Sequence, residues 1–158
     1  MVDEALKRLV DIEDIKQLKG LYCYCVAKED WKTFETLFAE DLVFVSPGGG
    51  QHNSRRAFMD FHKANIQAPK LWGVIRCYTP IIKITGADSA TGVWGLDDFH
   101  VWPGHKGPPV GHRAYGHYYE EYVRLGDGWR FKRIEVTYDR MDPLEGGFGH
   151  ATESAASL

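Results

Sequence analysis

The chain has 158 residues, a formal net charge of -3, 44% hydrophobic residues and 26% charged ones. That is enough for one globular domain with a core of its own. Its basic residues are scattered rather than gathered into a stripe, which excludes a nucleic-acid surface, and no apolar run approaches the roughly 20 residues that span a bilayer. Leu6, Leu9, Ile12, Ile15, Leu18, Tyr22 and Cys25 recur at three- and four-residue spacing and predict a long amphipathic first helix. Its opening, MVDEALKRLVDIEDIKQL, is acidic and unlike a signal peptide. Asp30 is a good N-cap for a second helix that buries Trp31, Phe34 and Leu37 or Phe38 and closes at Asp41. Leu42-Val43-Phe44-Val45 reads as a short strand, and Pro47-Gly48-Gly49-Gly50 as a loop. Ser54 caps a third helix with Phe58, Phe61 and Ile66 on one side, which Pro69 ends.

From Leu71 the pattern turns to strands. Residues 78–84 form one, with Pro80 marking an edge or a bulge. Gly86-Ala87-Asp88 turns the chain into a long strand over 90–102, and a Gly/Pro loop follows with His105 and His112. The stretch 113–133, RAYGHYYEEYVRLGDGWRFKR, is a long β-hairpin turning at Gly126-Asp127-Gly128. In its last arm Trp129 and Phe131 share one parity, whereas Ile134, Val136 and Tyr138 share the other, which predicts a β-bulge near Lys132-Arg133. Helices followed by a run of strands give an α+β domain over residues 1–142. We expect a cone: a strongly curved antiparallel sheet, wrapped by about three N-terminal helices and enclosing a pocket. The Gly-, Ala- and Ser-rich residues 143–158 read as a flexible tail.

Three cysteines, two of them as Cys23-x-Cys25, fit neither a disulfide framework nor a zinc site and point to a reduced, cytoplasmic setting. None of the seven His is spaced as H-x-H or H-x-x-x-H, so no metal site is expected. Phosphate-loop and nucleophile-elbow patterns are also absent from the sequence. Five Trp, eight Tyr and eight Phe suit a pocket for a flat or cyclic ligand, or a plain aromatic core. Period two puts Trp94, Leu96, Asp98, His100 and Trp102 on one strand face. Asp98 and His100 there are either an oriented acid–base pair flanked by tryptophans or a solvent-facing polar pair beside Asp97. On the hairpin Arg113, Tyr115, His117 and Tyr119 share a face, and His117 either lines a cavity or joins an exposed cross-strand pair.

IEDIKQLKGLYCYCVAKEDWKTFETLF, ATGVWGLDDF, GHYYEEYVRLGDGWRFKR and the late Tyr138-Asp139-Arg140-Met141 resemble the SnoaL-like, nuclear-transport-factor-2-like superfamily. Within it the chain is most similar to the scytalone dehydratase and bile-acid dehydratase branch, over residues 12–141. The resemblance implies the cone fold, chemistry without metal or organic cofactor, and a homodimer or homotrimer. It places Tyr22 where a tyrosine polarises a substrate oxygen. Ala27 stands where the branch has a catalytic Asp; Asp30, one turn later, is either its substitute or only a helix cap. The strand around residues 74–77 lacks the branch's His and offers only Arg76, a guanidinium suited to an oxyanion. Asp98 matches a catalytic carboxylate of the bile-acid dehydratases, Tyr115 stands where scytalone dehydratase has a His, and Arg140 falls near a functional Arg.

These readings converge on a cofactor-independent lyase that performs dehydration or another elimination on a hydrophobic, hydroxylated aromatic or cyclic small molecule. Deformylating carbon–carbon cleavage through a quinone-methide-like intermediate is a variant. Asp98 and His100 would move the proton, and Tyr22, Tyr115 and Arg76 would stabilise charge on oxygen. Asp30, Trp31, Trp72, Trp94, His117, Tyr138 and Arg140 would bind the substrate. The enzyme reading requires Tyr22, Asp98 and His100 to converge on one enclosed cavity and fails without it. Two rivals stay open: a non-catalytic small-molecule-binding or oligomerisation domain, and a ketosteroid-type isomerase pairing Asp98 with Tyr115.

Overall fold

A computed structural model describes residues 2–65, 72–126 and 128–145. Helix α1 (Val2–Lys28) follows the predicted spacing, and Ile15, Leu18, Tyr22, Cys25 and Val26 enter the core. Leu6 and Leu9 are exposed instead: it is Glu4, Ala5, Lys7, Arg8 and Asp11 that face residues 84–87 across an open groove. Glu29, with φ of 58°, breaks the helix, and Asp30 caps α2 (Trp31–Glu35) by accepting from the Thr33 backbone N–H at 3.1 Å. This helix is shorter than its pattern predicts. Leu37 C=O accepts from Phe131 N–H at 3.0 Å and Phe38 pairs with Phe131, so β1 (Phe38–Val45) begins at Phe38 rather than Leu42. Long-range pairing overrides local helical preference there.

After the short β2 (Gln51–His52), Ser54 caps α3 (Arg55–Asn65) through the Ala57 N–H at 3.0 Å. Phe58 is buried and Phe61 half-buried as expected, whereas Ile66 and Pro69 lie outside the described residues. The remaining strands are β3 (Trp72–Ile84), β4 (Ser89–Trp102), β5 (Val110–Leu125) and β6 (Gly128–Glu145). Together the six form one open, curved sheet in the order β2-β1-β6-β5-β4-β3. Every pairing is antiparallel except β1 with β6, which is parallel, so the sheet is mixed.

The curvature has local causes. Pro80 lies in edge strand β3 and also at a register break between Tyr78 and Ile81, where Thr79 takes a φ of 46°. On β6, Glu121 faces Arg133 while Tyr122 faces Phe131, which makes Lys132 the extra residue of a bulge where the parity change predicted one. A second bulge, without a parity signal, sits at Asp139, because Tyr115 faces Arg140 and Gly116 faces Tyr138. Strand β6 runs on to Glu145, so residues 143–145 are strand rather than tail; the rest of the expected tail lies outside the described residues. The hairpin turn uses Gly128 at φ of 136°, and Asp127 falls outside the described residues.

Bulges bend the sheet around α1 and α3, and the concave face holds the core. Phe34, Phe38, Phe58 and Phe131 pack there with Tyr22, Tyr118 and Tyr122. Trp72, Tyr78 and Tyr119 are exposed on the convex face. No helix among the described residues is long and apolar enough to cross a membrane.

Candidate active site

The concave face holds two clusters of buried polar side chains, and they differ in how completely their hydrogen-bonding capacity is used. The first gathers Asp98 and His100 from β4, His112 from β5 and Tyr138 from β6. Period two turns Trp94, Leu96, Asp98 and His100 inward, and Asp98 and His100 are buried to 6% and 1% exposure. Small neighbours make the room. Asp98 lies opposite Ala114, and His100 leans over Gly73, where an added Cβ would come within 2.5 Å of His100 Cδ2. Tyr138 pairs with Gly116, whose missing side chain lets β6 approach so closely that a Cβ would lie 1.8 Å from Thr137 O.

Within this cluster the Tyr138 hydroxyl donates to Asp98 Oδ2 at 2.5 Å. His100 Nδ1 lies 2.5 Å from Asp98 Oδ1 in a close but oblique contact, and His112 Nε2 lies 3.8 Å from Oδ2. Burial alone would raise the Asp98 pKa. The neighbouring His100 and His112 rings and the hydrogen bond from the Tyr138 hydroxyl outweigh that and hold the carboxyl well below the usual carboxylate range. Burial, then the Asp98 charge, pushes the Tyr138 phenol well above its ordinary value, so it remains a donor. An ionised carboxylate facing Nδ1 favours the tautomer with its proton on that atom, leaving the Nε2 lone pair of His100 free. His100 Nε2 and His112 Nε2 are buried and lack a hydrogen-bond partner among the described residues.

Trp102 stacks on His100 at 5.4 Å between ring centroids and 20° between planes, and the two imidazoles are 5.8 Å apart. His112, with its side chain 20% exposed, is the member of the trio nearest solvent. Ligand atoms of Asp98, His100 and His112 lie within 4.8 Å of one another, a donor set that sequence spacing missed because it crosses two strands.

The second cluster is saturated. Lys19 of α1 is 1% exposed, pairs with Glu120 and sits 3.4 Å above the Tyr118 ring centroid. Tyr122 donates to the other Glu120 oxygen and accepts from the Trp94 indole at 2.8 Å. Burial would lower the Lys19 pKa, but the Glu120 charge more than reverses this and keeps the amine protonated well above its ordinary value.

The expected site residues divide accordingly. Asp98, His100 and Tyr138 come together. Tyr22 does not join them through any hydrogen bond among the described residues; it is buried between Phe34, Phe38, Tyr118 and Phe131. Its ring is packed as a core aromatic, beside Tyr118 on the same concave face. Tyr115 faces the convex side with Arg113 stacked on it at 4.6 Å, which corrects the expectation that the Tyr115 parity faces the cavity. On the same side His117 Nδ1 meets Asp139 at 3.0 Å, an exposed pair, and exposed Arg140 donates to Asp142 at 2.8 Å. Trp72 is exposed, Asp30 caps α2, and Trp31 packs on Phe34 and His62. Trp94 and Arg76 do share a feature: with Lys19, Cys23, Ile75 and Cys77 they line a groove of about 770 Å³ along the α1–β3 seam, Arg76 being exposed. Ile75 is the strand partner of Asp98, so the groove reaches the strand pair that carries the first cluster.

His112, Lys19 and Glu120 were missed. The available signal was β5 parity: His112, Ala114, Gly116, Tyr118, Glu120 and Tyr122 share one face, and the adjacent small residues Ala114 and Gly116 mark it as the crowded, concave one. Residues 7–135 match the family model described as a SnoaL-like domain. Among solved structures, a Novosphingobium aromaticivorans protein provisionally assigned as a scytalone dehydratase has 17% identity and a TM-score of 0.79, covering 100% of this chain and 99% of its own. A type 2 hexachlorocyclohexane dehydrochlorinase, LinA, gives 16% identity and a TM-score of 0.82 over 95% of this chain and 99% of its own. An NTF2-like protein of cystatin-like fold, also from N. aromaticivorans, gives 20% identity and a TM-score of 0.64 over 87% and 88%. These likenesses agree in fold, and the match over most of its length means that the chain belongs to the SnoaL-like family.

Proposed function

We propose that the protein is a lyase that eliminates water, or a comparable leaving group, from a hydroxylated aromatic or cyclic molecule by side-chain acid–base chemistry. One observation carries the reading: a buried, ionised Asp98 contacts His100 through Nδ1 and His112 through Nε2, and His100 Nε2 is buried without a hydrogen bond from the protein's described residues. In this mechanism Asp98 orients His100, and His100 Nε2 takes a proton from the substrate carbon. The electron pair of that C–H bond forms the new double bond as the carbon–oxygen bond breaks. His112, nearer solvent, gives a proton to the departing oxygen, and water leaves. Tyr138 fixes the carboxylate, and the Trp102 face beside both imidazoles supports a flat substrate.

The resemblance to a dehydratase-like protein and to a dehydrochlorinase supports elimination as the reaction class. Loss of formaldehyde from a phenolic substrate through a quinone-methide-like intermediate is the variant that asks least of a base. The exposed convex aromatics Trp72, Tyr78 and Tyr119 support a homodimer or homotrimer. Incubation with a panel of phenolic and steroidal alcohols, followed by mass spectrometry, tests the reading. The expected result is a product lighter by one water or one formaldehyde. Thermal stabilisation by such compounds without turnover of any of them would support the binding-domain rival instead.

A further inference from the structure

Cys23 and Cys77 take no part in the chemistry above, and their surroundings are unlike those of Cys25. Residues Lys16, Lys19 and Cys23 recur along one side of α1 and line the seam groove, with Arg76 and Cys77 across it on β3. Both cysteines are part-buried and unoxidised, and they line the same groove from its two sides, Cys23 on α1 and Cys77 on β3. The groove's lining includes three cationic side chains and no carboxylate. A thiol that is part-exposed among cations is the kind that reacts, because the thiolate is the nucleophile and positive charge favours it. The neighbouring Cys77 thiol lowers the Cys23 pKa and the Lys19 ammonium assists, against burial and the Glu120 charge, so Cys23 is the more acidic sulfur of the two. Cys25 is fully buried and its thiol is raised by burial, so the C-x-C spacing does not mark the reactive pair.

We propose that Cys23 and Cys77 form a peroxide-oxidisable dithiol whose disulfide ties α1 to β3 along the seam groove. The Cys23 thiolate attacks the peroxide O–O bond, taking one oxygen to become a sulfenic acid, while the other oxygen leaves with a proton as water or an alcohol. Cys77 sulfur then attacks the Cys23 sulfur. The S–S bond forms, the S–O bond breaks, and the hydroxyl leaves as water with the Cys77 proton. Two thiols are oxidised and one peroxide is reduced. The bond closes one wall of the groove whose Ile75 is paired with Asp98.

The test treats the full-length protein with hydrogen peroxide, alkylates the remaining thiols and maps peptides by mass spectrometry. With only three cysteines in the chain the map is complete. The expected outcome is a Cys23–Cys77 linked peptide, Cys25 still alkylated, a raised Tm, and full reversal by dithiothreitol. Cys23→Ser and Cys77→Ser should each abolish the linked peptide. Wild-type protein in which both thiols stay alkylatable, or in which Cys23 couples to Cys25, overturns the proposal. Because the readout is covalent and requires no turnover, it stands or falls independently of the lyase reading.

Discussion

Two buried polar clusters share the concave face of one sheet, and the contrast between them separates structure from chemistry. Around Lys19, cation, carboxylate, hydroxyl and indole are paired in a closed chain with Glu120, Tyr122 and Trp94. Around Asp98, the carboxylate is held by Tyr138 and approached by His100 and His112, yet both imidazoles keep an unpartnered buried nitrogen. Buried polar groups are normally satisfied, and leaving one unpaired is costly. A saturated cluster has no valence left for a substrate. An unsaturated one does.

Breaking the saturated cluster should give the largest loss of stability. Lys19→Met leaves Glu120 buried without its cation, and a cost of about 3–5 kcal/mol is expected in urea unfolding. The double variant Lys19→Met with Glu120→Leu should recover much of that loss, since both charges are then gone. A double variant no more stable than the single one would show that the pair is not coupled.

A smaller effect is expected at Tyr138. Tyr138→Phe removes a hydrogen bond to a charged acceptor, worth about 1.5–3 kcal/mol. It should also move the Asp98 carboxyl upward toward its ordinary value of 3.8, which carbon-detected NMR titration can follow. The sign of the pH effect follows from that depressed pKa. In the wild type Asp98 binds its proton less readily folded than unfolded, so its contribution to stability is present above pH 3.8 and is lost as pH falls below it. The stability gap between wild type and Tyr138→Phe should therefore narrow on acidification. A gap independent of pH would contradict the role given to Tyr138.

The least disruptive change is Gly73→Ala. Its Cβ would meet His100 Cδ2 at 2.5 Å, so the imidazole must shift away from its place beside Asp98. A cost of about 1–3 kcal/mol is expected, with displaced His100 resonances in the NMR spectrum. Unmoved resonances would mean that Gly73 does not set the ring's position.

Much of this architecture was legible in the sequence. Helix spacing, the Ser54 cap, the Gly-rich hairpin turn and the parity change at Lys132 are local signals, and each has its counterpart in the fold. The early start of β1 was not legible, because it depends on pairing with Phe131 far along the chain. At the site, period two singled out Asp98 and His100 correctly as sharing a face, but it does not say which face of β5 joins them. The parity of Tyr115 carries His117 to the convex face, and the opposite parity carries His112 to the concave one. The choice turned on Ala114 and Gly116, whose small side chains mark the crowded side. Lys19 was hidden for another reason: a lysine on an amphipathic helix ordinarily faces water, and only Glu120 and the Tyr118 ring make its burial tolerable.

The contrast between the clusters is tested most directly by measuring turnover per folded molecule and thermal stability side by side for Asp98→Asn and Glu120→Gln, on a substrate found in the alcohol panel. Asp98→Asn is expected to stay folded and lose about 10²–10⁴ in kcat, the usual worth of an oriented acid–base group. Glu120→Gln is expected to lose stability while its folded fraction turns over at close to the wild-type rate. Retained turnover in Asp98→Asn, with turnover abolished in folded Glu120→Gln, would contradict the account.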